Sequence, residues 1–176
     1  TGVKNYQGKP EEWYKLIKAS VAYVKKQGLK VISVSPFNEP DYADWQQWVT
    51  SKGEKQGMRD FLAIAKLIKE DSYFDGSRVC GGNTLNDDRA LDWYTFLKEY
   101  IDEGNTHQLA GDFDHYADFF ATVKSDGKVA TADELHNVGE AIVGANYGME
   151  NGIWWGFDSK ARGQFCIDSN EGVRLG

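Results

Sequence analysis

The sequence predicts an α/β fold in which parallel strands alternate with helices. Short apolar, β-branched segments alternate along the chain with longer segments whose apolar residues recur every three or four positions. The connections are short, and no low-complexity linker divides the 176 residues. Strands and helices in strict alternation form a parallel sheet through right-handed crossovers. We therefore expect one domain segment over residues 1–176, with five strands separated by four helices after an opening helix.

The first four elements are predicted from two kinds of apolar pattern. Pro10 precedes an apolar stripe at helical spacing, which predicts a helix over residues 11–27. The segment LKVISVSPF at 29–37 is β-branched and almost continuously apolar, as a buried parallel strand is. The pattern then repeats, with GMRDFLAIAKLIKE as a helix (57–70) and SRVCGGNT as a strand (77–84).

The remaining elements continue the alternation. ALDWYTFLKEYIDEG has helical spacing and ends at a glycine, while HQLAGDFDHYAD is interpreted as a strand with its exit loop. KVATADELHN and GIWWGFD contain short apolar runs of the strand type. The predicted order is helix 90–104, strand and exit loop 107–118, helix 119–127, strand 128–137, helix 138–151 and strand 152–158.

The bulk composition argues against several classes of function. The formal net charge is −7 and no basic run could follow a phosphate backbone, so nucleic acid is not an expected partner. No apolar run approaches the roughly 18 residues that cross a bilayer. No glycine-rich phosphate loop opens a helix, which argues against a flavodoxin-like phosphate-binding domain. No metal site is expected, because the cysteines and histidines are scattered: Cys80, Cys166, His107, His115 and His136. No cofactor is expected either.

Two glutamates stand at the ends of predicted strands. Glu39 follows the strand at 29–37, where Pro40 helps to end it, and Glu134 ends the strand at 128–137. The carboxyl ends of parallel strands form the face that binds ligands. Side chains on nonadjacent strands can face each other there only if the sheet curves, which favours a barrel over a flat sheet. The alternative for Asn-Glu-Pro alone is a simple turn with a solvated glutamate.

Four segments together resemble a known family. SVSPFNEPDY, DHYAD, ATADELHN and GIWWGFD are similar to the fourth, sixth, seventh and eighth strand ends of the clan A glycoside hydrolases, and the nearest group is that of glucosylceramidases, xylanases and endo-galactanases. The resemblance implies a partial (β/α)8 TIM barrel, from a third helix to an eighth strand, whose expected partner is the missing N-terminal half of the barrel. It also implies a carbohydrate substrate and a secreted, periplasmic or cell-surface location.

The function that this resemblance implies is hydrolysis of O-glycosidic bonds in a polysaccharide or oligosaccharide by a retaining mechanism. Glu39 matches the general acid/base and Glu134 the nucleophile, while Asn38 matches the residue that binds the sugar 2-hydroxyl. Retention needs the two carboxyl groups about 5 to 5.5 Å apart, with Glu39 protonated and Glu134 ionised. The alternative is a noncatalytic carbohydrate-binding or scaffold protein that keeps the barrel.

Further substrate contacts are expected around this pair. The resemblance places His115 and Tyr116 at the sixth strand end, where the tyrosine hydroxyl would donate to Glu134; the alternative is a surface histidine and a packed tyrosine. Aromatic faces bind sugar rings, and alternation along a strand sends only one of two adjacent tryptophans inward. The remaining candidates are Trp154 and Trp155 at the eighth strand, Trp45 beside Glu39, Asn83 at a strand end, and His136 on the face of Glu134.

Overall fold

Five parallel strands form one curled sheet in the order of the chain. The computed structural model describes residues 8–41, 56–155, 166–168 and 173–174. Each strand pairs in parallel with the next, so the predicted partial α/β barrel is confirmed. The strands are β1 (Ser33–Val34), β2 (Arg78–Thr84), β3 (Glu103–Thr106), β4 (Val129–Leu135) and β5 (Asn151–Trp154). An antiparallel pair that the sequence pattern does not predict follows, β6 (Cys166–Asp168) and β7 (Val173–Arg174).

The helices of the described residues begin and end where local chemistry favours it. They are α1 (Pro10–Lys26), α2 (Gln56–Glu70), α3 (Ala90–Leu97), α4 (Phe113–Ser125) and α5 (Val138–Tyr147). Helix α1 has proline in its first turn, and α4 is capped by the Asp112 side chain, which accepts from a backbone N–H. Helix α5 begins with an Asn137 cap and ends at Gly148 in the left-handed conformation. Within the described residues, no helix combines the length and the apolar character that crossing a membrane requires.

The hydrophobic core lies between the helices and one face of the sheet. Rings pack edge to face from Phe37 through Phe61 to Trp93, with centroids 5.4 and 6.3 Å apart, and all three side chains are buried. Strand residues such as Val79 and Ala130 reach the same core. Because side chains alternate along a strand, their neighbours point to the opposite face, which is the inside of the curve.

The inner face of the sheet is polar rather than apolar. Glu103 is only 4% exposed, and its carboxylate accepts hydrogen bonds from Ser33, Arg78 and Thr131, which lie on three other strands. A buried charge is tolerated when its oxygens are paired in this way. The network links β1 to β4 across the inside of the curve.

The predicted boundaries are wrong around β3. Helix α3 ends at Leu97 and a short turn of 3-10 helix follows, so β3 occupies the end of the helix predicted at 90–104. The strand and exit loop predicted at 107–118 are replaced by a loop and the start of α4. The reason is that β3 reads EGNT: its inward side chains are polar, and a Cβ at Gly104 would lie 2.8 Å from Val123 on α4. A strand with this composition has no β-branched apolar signal.

Candidate active site

Glu39 lies on a tightly held loop that follows β1. Its backbone is in the left-handed region (φ +49°), which is uncommon for a residue with a Cβ and must be held by surrounding contacts. The Glu39 N–H donates to the carbonyl of Asn83 at 2.8 Å. The Asn83 side-chain amide donates in turn to the Phe37 carbonyl (3.0 Å) and to Ser35 Oγ (3.1 Å). The end of β2 therefore sets the position of the Glu39 carboxylate.

Glu134 lies near the carboxyl end of β4, next to Asp133. In a regular strand, adjacent side chains point to opposite faces, yet both of these carboxylates approach the same imidazole. The pairing of β4 with β5 shifts register between Ala132 and Leu135, and such an irregularity changes the direction of the side chains. The shift accounts for two successive carboxylates at one site.

His107 is the centre of this cluster and follows directly after β3. Its side chain is 0% exposed, with Nε2 2.9 Å from Asp133 Oδ1 and Nδ1 3.0 Å from Glu39 Oε1. Nδ1 also lies 3.9 Å from Glu134 Oε2. One oxygen of Glu39 and one of Glu134 lie within 4.8 Å of each other and of a His107 nitrogen. Three strand ends thus bring both predicted glutamates together around a histidine.

These contacts change the protonation of the cluster. Burial is the largest influence on His107 and lowers its pKa, but the hydrogen bonds to Asp133 and Glu39 and the nearby negative charges outweigh it, so the pKa is raised. Burial acts to raise the pKa of Asp133, but its hydrogen bond with His107 contributes to a net lowering. Burial raises the pKa of Glu134; His107 opposes this rise and Glu39 adds to it. A raised pKa does not favour an ionised Glu134, so the assignment of Glu39 as acid and Glu134 as nucleophile depends on the sequence motifs around them.

The two tryptophans of the GIWW segment point in different directions. Trp155 is 44% exposed, and its ring centroid lies 5.6 Å from that of His136. His136 Nε2 is 4.0 Å from Glu134 Oε2, so the rings of His136 and Trp155 lie beside the cluster. Trp154 is partly buried and packs against the hydrophobic core. Trp155 is therefore the tryptophan that faces the site.

The two asparagines of the prediction lie close to Glu39 but differ in exposure. Asn38 is exposed on the same loop, where a ligand can reach it. Asn83 is 4% exposed, and its amide group is directed at the loop backbone rather than at solvent. The structure thus shows Asn83 as a support for the loop that carries Glu39.

His115 and Tyr116 do not lie at a strand end, and this part of the prediction is wrong. Both belong to the first turn of α4, because the sixth-strand position is taken by β3 and His107. His115 is exposed and lies 3.0 Å from the Asp112 carboxylate. Tyr116 is fully buried, with its ring 4.6 Å from that of Phe120. Trp45 lies outside the described residues.

His107 and Asp133 were missed by the sequence reasoning. His107 follows a strand that has no apolar signal, and Asp133 would point away from Glu134 in a regular strand. A signal was present in each case, namely a polar residue at the carboxyl end of a strand. Atoms of a type that metals bind, from Glu39, His107 and Glu134, lie within 4.8 Å of one another, so the expectation of no metal site stays a prediction.

Comparisons with known proteins address the fold. No family model matches the chain, and no curated protein matches it. Among solved structures, it is similar to a GH30 endoxylanase from Clostridium papyrosolvens C71, with a TM-score of 0.55 and 21% identity over 84% of this chain and 40% of that one. It is also similar to an endo-β-1,6-glucanase, with a TM-score of 0.52 and 16% identity over 86% of this chain and 38% of that one.

This likeness agrees with the sheet and helices described above. The chain spans about two fifths of the length of either solved structure. The parallel order β1 to β5, with helices on the outer face, is common to the prediction and the observed fold. The described residues therefore have the fold of part of an α/β barrel of the kind found in these two glycoside hydrolases.

Proposed function

We propose that this chain carries the catalytic pair of a retaining glycoside hydrolase, with Glu39 as general acid/base and Glu134 as nucleophile. The observation that carries the proposal is the approach of one carboxylate oxygen of Glu39 to within 4.8 Å of one of Glu134, at the carboxyl ends of two parallel strands. Retaining enzymes hold this pair about 5 to 5.5 Å apart and inverting enzymes about 6.5 to 9.5 Å apart. The short separation supports the double-displacement mechanism.

The reaction runs in two steps on this geometry. Glu134 attacks the anomeric carbon while Glu39 gives its proton to the leaving oxygen, whose bond to carbon breaks with its electron pair. Glu39 then takes a proton from water, and the resulting hydroxide displaces Glu134 from the sugar. Both carboxylates are partly buried, with side chains 20% exposed, which limits competing solvation.

The substrate that we propose is a polysaccharide or an oligosaccharide derived from it. The solved structures of similar fold are an endoxylanase and an endo-β-1,6-glucanase, so xylan and β-1,6-glucan are the first polymers to test. The exposed face of Trp155 offers a surface on which a sugar ring can stack. Asn38, exposed beside Glu39, is the proposed contact for the sugar 2-hydroxyl. We also propose that the protein acts outside the cytoplasm, where such polymers occur.

The partner that we propose for this sheet is the remainder of a barrel. In the described residues, β1 pairs only with β2 and β5 only with β4, so the sheet has two open edges. Ile32 beside β1 is 55% exposed and Ile153 in β5 is 57% exposed. Open edges with apolar side chains favour further pairing. A monodisperse, cooperatively unfolding monomer of residues 1–176 alone would contradict this proposal.

Glutamine substitutions in the full-length protein test the catalytic assignment. Glu134→Gln should abolish release of reducing ends from the polymer that the wild type hydrolyses, while Glu99→Gln, at an exposed position, should leave the rate unchanged. Glu39→Gln should lose most activity on the polymer and regain part of it with an activated aryl glycoside and azide. Unchanged turnover in Glu134→Gln would refute the assignment, and polymer binding without any wild-type turnover would favour the noncatalytic alternative.

A further inference from the structure

His107 is a buried imidazole whose two nitrogens both face carboxylates. Nε2 lies 2.9 Å from Asp133 and Nδ1 lies 3.0 Å from Glu39, both within hydrogen-bond distance. A neutral imidazole has one N–H donor and one lone pair, and an ionised carboxylate only accepts. Asp133, His107 and Glu39 form a line of three groups. If this line carried only one proton, a lone pair of His107 would face a lone pair of a carboxylate. The geometry therefore requires two protons on the line Asp133–His107–Glu39 before the reaction begins.

The two protons can be assigned from the environment. Asp133 has a lowered pKa, to which its hydrogen bond with His107 contributes against the effect of burial, so Asp133 is the ionised end of the line. One proton then lies on Nε2 and donates to Asp133 Oδ1. The second lies between Nδ1 and Glu39 Oε1, bound to either atom, and it is the proton nearest to the acid/base carboxylate.

We propose that His107 is a positioning residue that shares and holds the acid proton of Glu39, and that Asp133 fixes the imidazole orientation for this role. The inference rests on the proposed function, because it takes Glu39 as the acid/base. In the first step the leaving oxygen takes the shared proton through Glu39, so Nε2 keeps the one remaining proton and the Nδ1 lone pair faces the Glu39 carboxylate until the second step. The same contact favours return of a proton from water in the second step, which restores both protons.

Among the residues that the structure describes, the charged groups around His107 come from the loop after β1 and from β4. Glu39 approaches from the loop after β1, and Asp133 and Glu134 approach from β4. His136 lies beyond Glu134, 4.0 Å from its carboxylate. Three carboxylates against one fully buried imidazole favour a second proton on this group. The shared proton is thus retained to higher pH than in a pair exposed to solvent.

The first test uses leaving groups of different acidity with the full-length protein. A phenyl glycoside needs a proton on its leaving oxygen, whereas a 2,4-dinitrophenyl glycoside does not. In His107→Gln we expect kcat/KM to fall roughly tenfold or more on the phenyl substrate relative to the dinitrophenyl one, and the alkaline limb of the pH profile to move to lower pH. The matched control is His115→Gln on the exposed surface of α4. An equal fall on both substrates with an unchanged pH profile would show a merely structural role.

The second test needs no turnover. Nitrogen NMR of the full-length protein with isotope-labelled histidine reports which ring nitrogen carries a proton. We expect His107 Nε2 to stay protonated through neutral pH, and Glu39→Gln to lower the pH at which Nδ1 loses its proton. A protein in which Nε2 is unprotonated, or in which Glu39→Gln has no effect on Nδ1, would overturn the proposal. Absence of glycosidase activity in the wild type would refute the proposed function instead, and the NMR result would still decide the proton arrangement.

Discussion

The loop that carries Glu39 should depend on the side chain of Asn83. Its amide donates to Ser35 Oγ and to the Phe37 carbonyl, and its backbone is in the left-handed region (φ +51°). Each buried hydrogen bond contributes about 0.5–1.5 kcal/mol net, and the left-handed region costs an alanine about 1–2 kcal/mol. Asn83→Ala should therefore lower the free energy of unfolding by about 2–5 kcal/mol, from two hydrogen bonds and one backbone term.

Urea unfolding of the full-length protein, followed by circular dichroism, measures this loss. The matched control is Asn146→Ala at an exposed position of α5, which should stay within about 0.5 kcal/mol of the wild type. Because the Asn83 carbonyl also accepts from the Glu39 N–H, a displaced loop should lower kcat as well. If Asn83→Ala keeps wild-type stability and changes only KM, Asn83 is a substrate contact and the supporting role described here is wrong.

Three further predictions concern the pH dependence, the aromatic surface and the inner face. Burial raises the pKa of Glu134, and a nucleophile must be ionised. The acidic limb of the kcat/KM profile should therefore lie above the ordinary glutamate pKa of 4.5. An acidic limb at or below pH 4.5 would contradict this. Trp155→Ala should weaken oligosaccharide binding, measured by calorimetry, roughly tenfold without lowering Tm. Trp154→Ala should lower Tm, because Trp154 packs against the core. The reverse pattern would show that Trp154, and not Trp155, faces the site. Glu103→Ala leaves Arg78 unpaired and should cost about 1–3 kcal/mol in urea unfolding, and no loss would show that the polar network is not stabilising.

The elements whose apolar side chains pack into the hydrophobic core could be predicted from the sequence, because their apolar residues recur with the period of a helix or a strand. The sequence predicts a helix at 57–70, and α2 spans Gln56–Glu70; it predicts a strand at 128–137, and β4 spans Val129–Leu135. In each, apolar residues face the core with the spacing of the element. Strand β3 could not be predicted, since Glu103 and its neighbours face a polar interior whose partners lie on other strands.

Only those residues of the candidate site that belong to a recognisable local sequence pattern could be predicted. Glu39 and Glu134 were found because each stands at a strand end, and the curvature that brings them together was inferred from the same placement. Asp133 was not found, because the register shift that turns it toward His107 is not visible in a local pattern. His115 was assigned to the site because the sixth strand was placed too late in the chain.

The covalent intermediate provides the most decisive measurement. A 2-deoxy-2-fluoro glycoside with a good leaving group, matched to the polymer that the full-length protein hydrolyses, slows the second step and traps the sugar on the nucleophile. Peptide mass spectrometry should then find the sugar on Glu134, and the label should be absent from Glu134→Gln. A label on a different residue, or hydrolysis of the polymer with inversion of the anomeric centre, would contradict a retaining mechanism with this pair of glutamates.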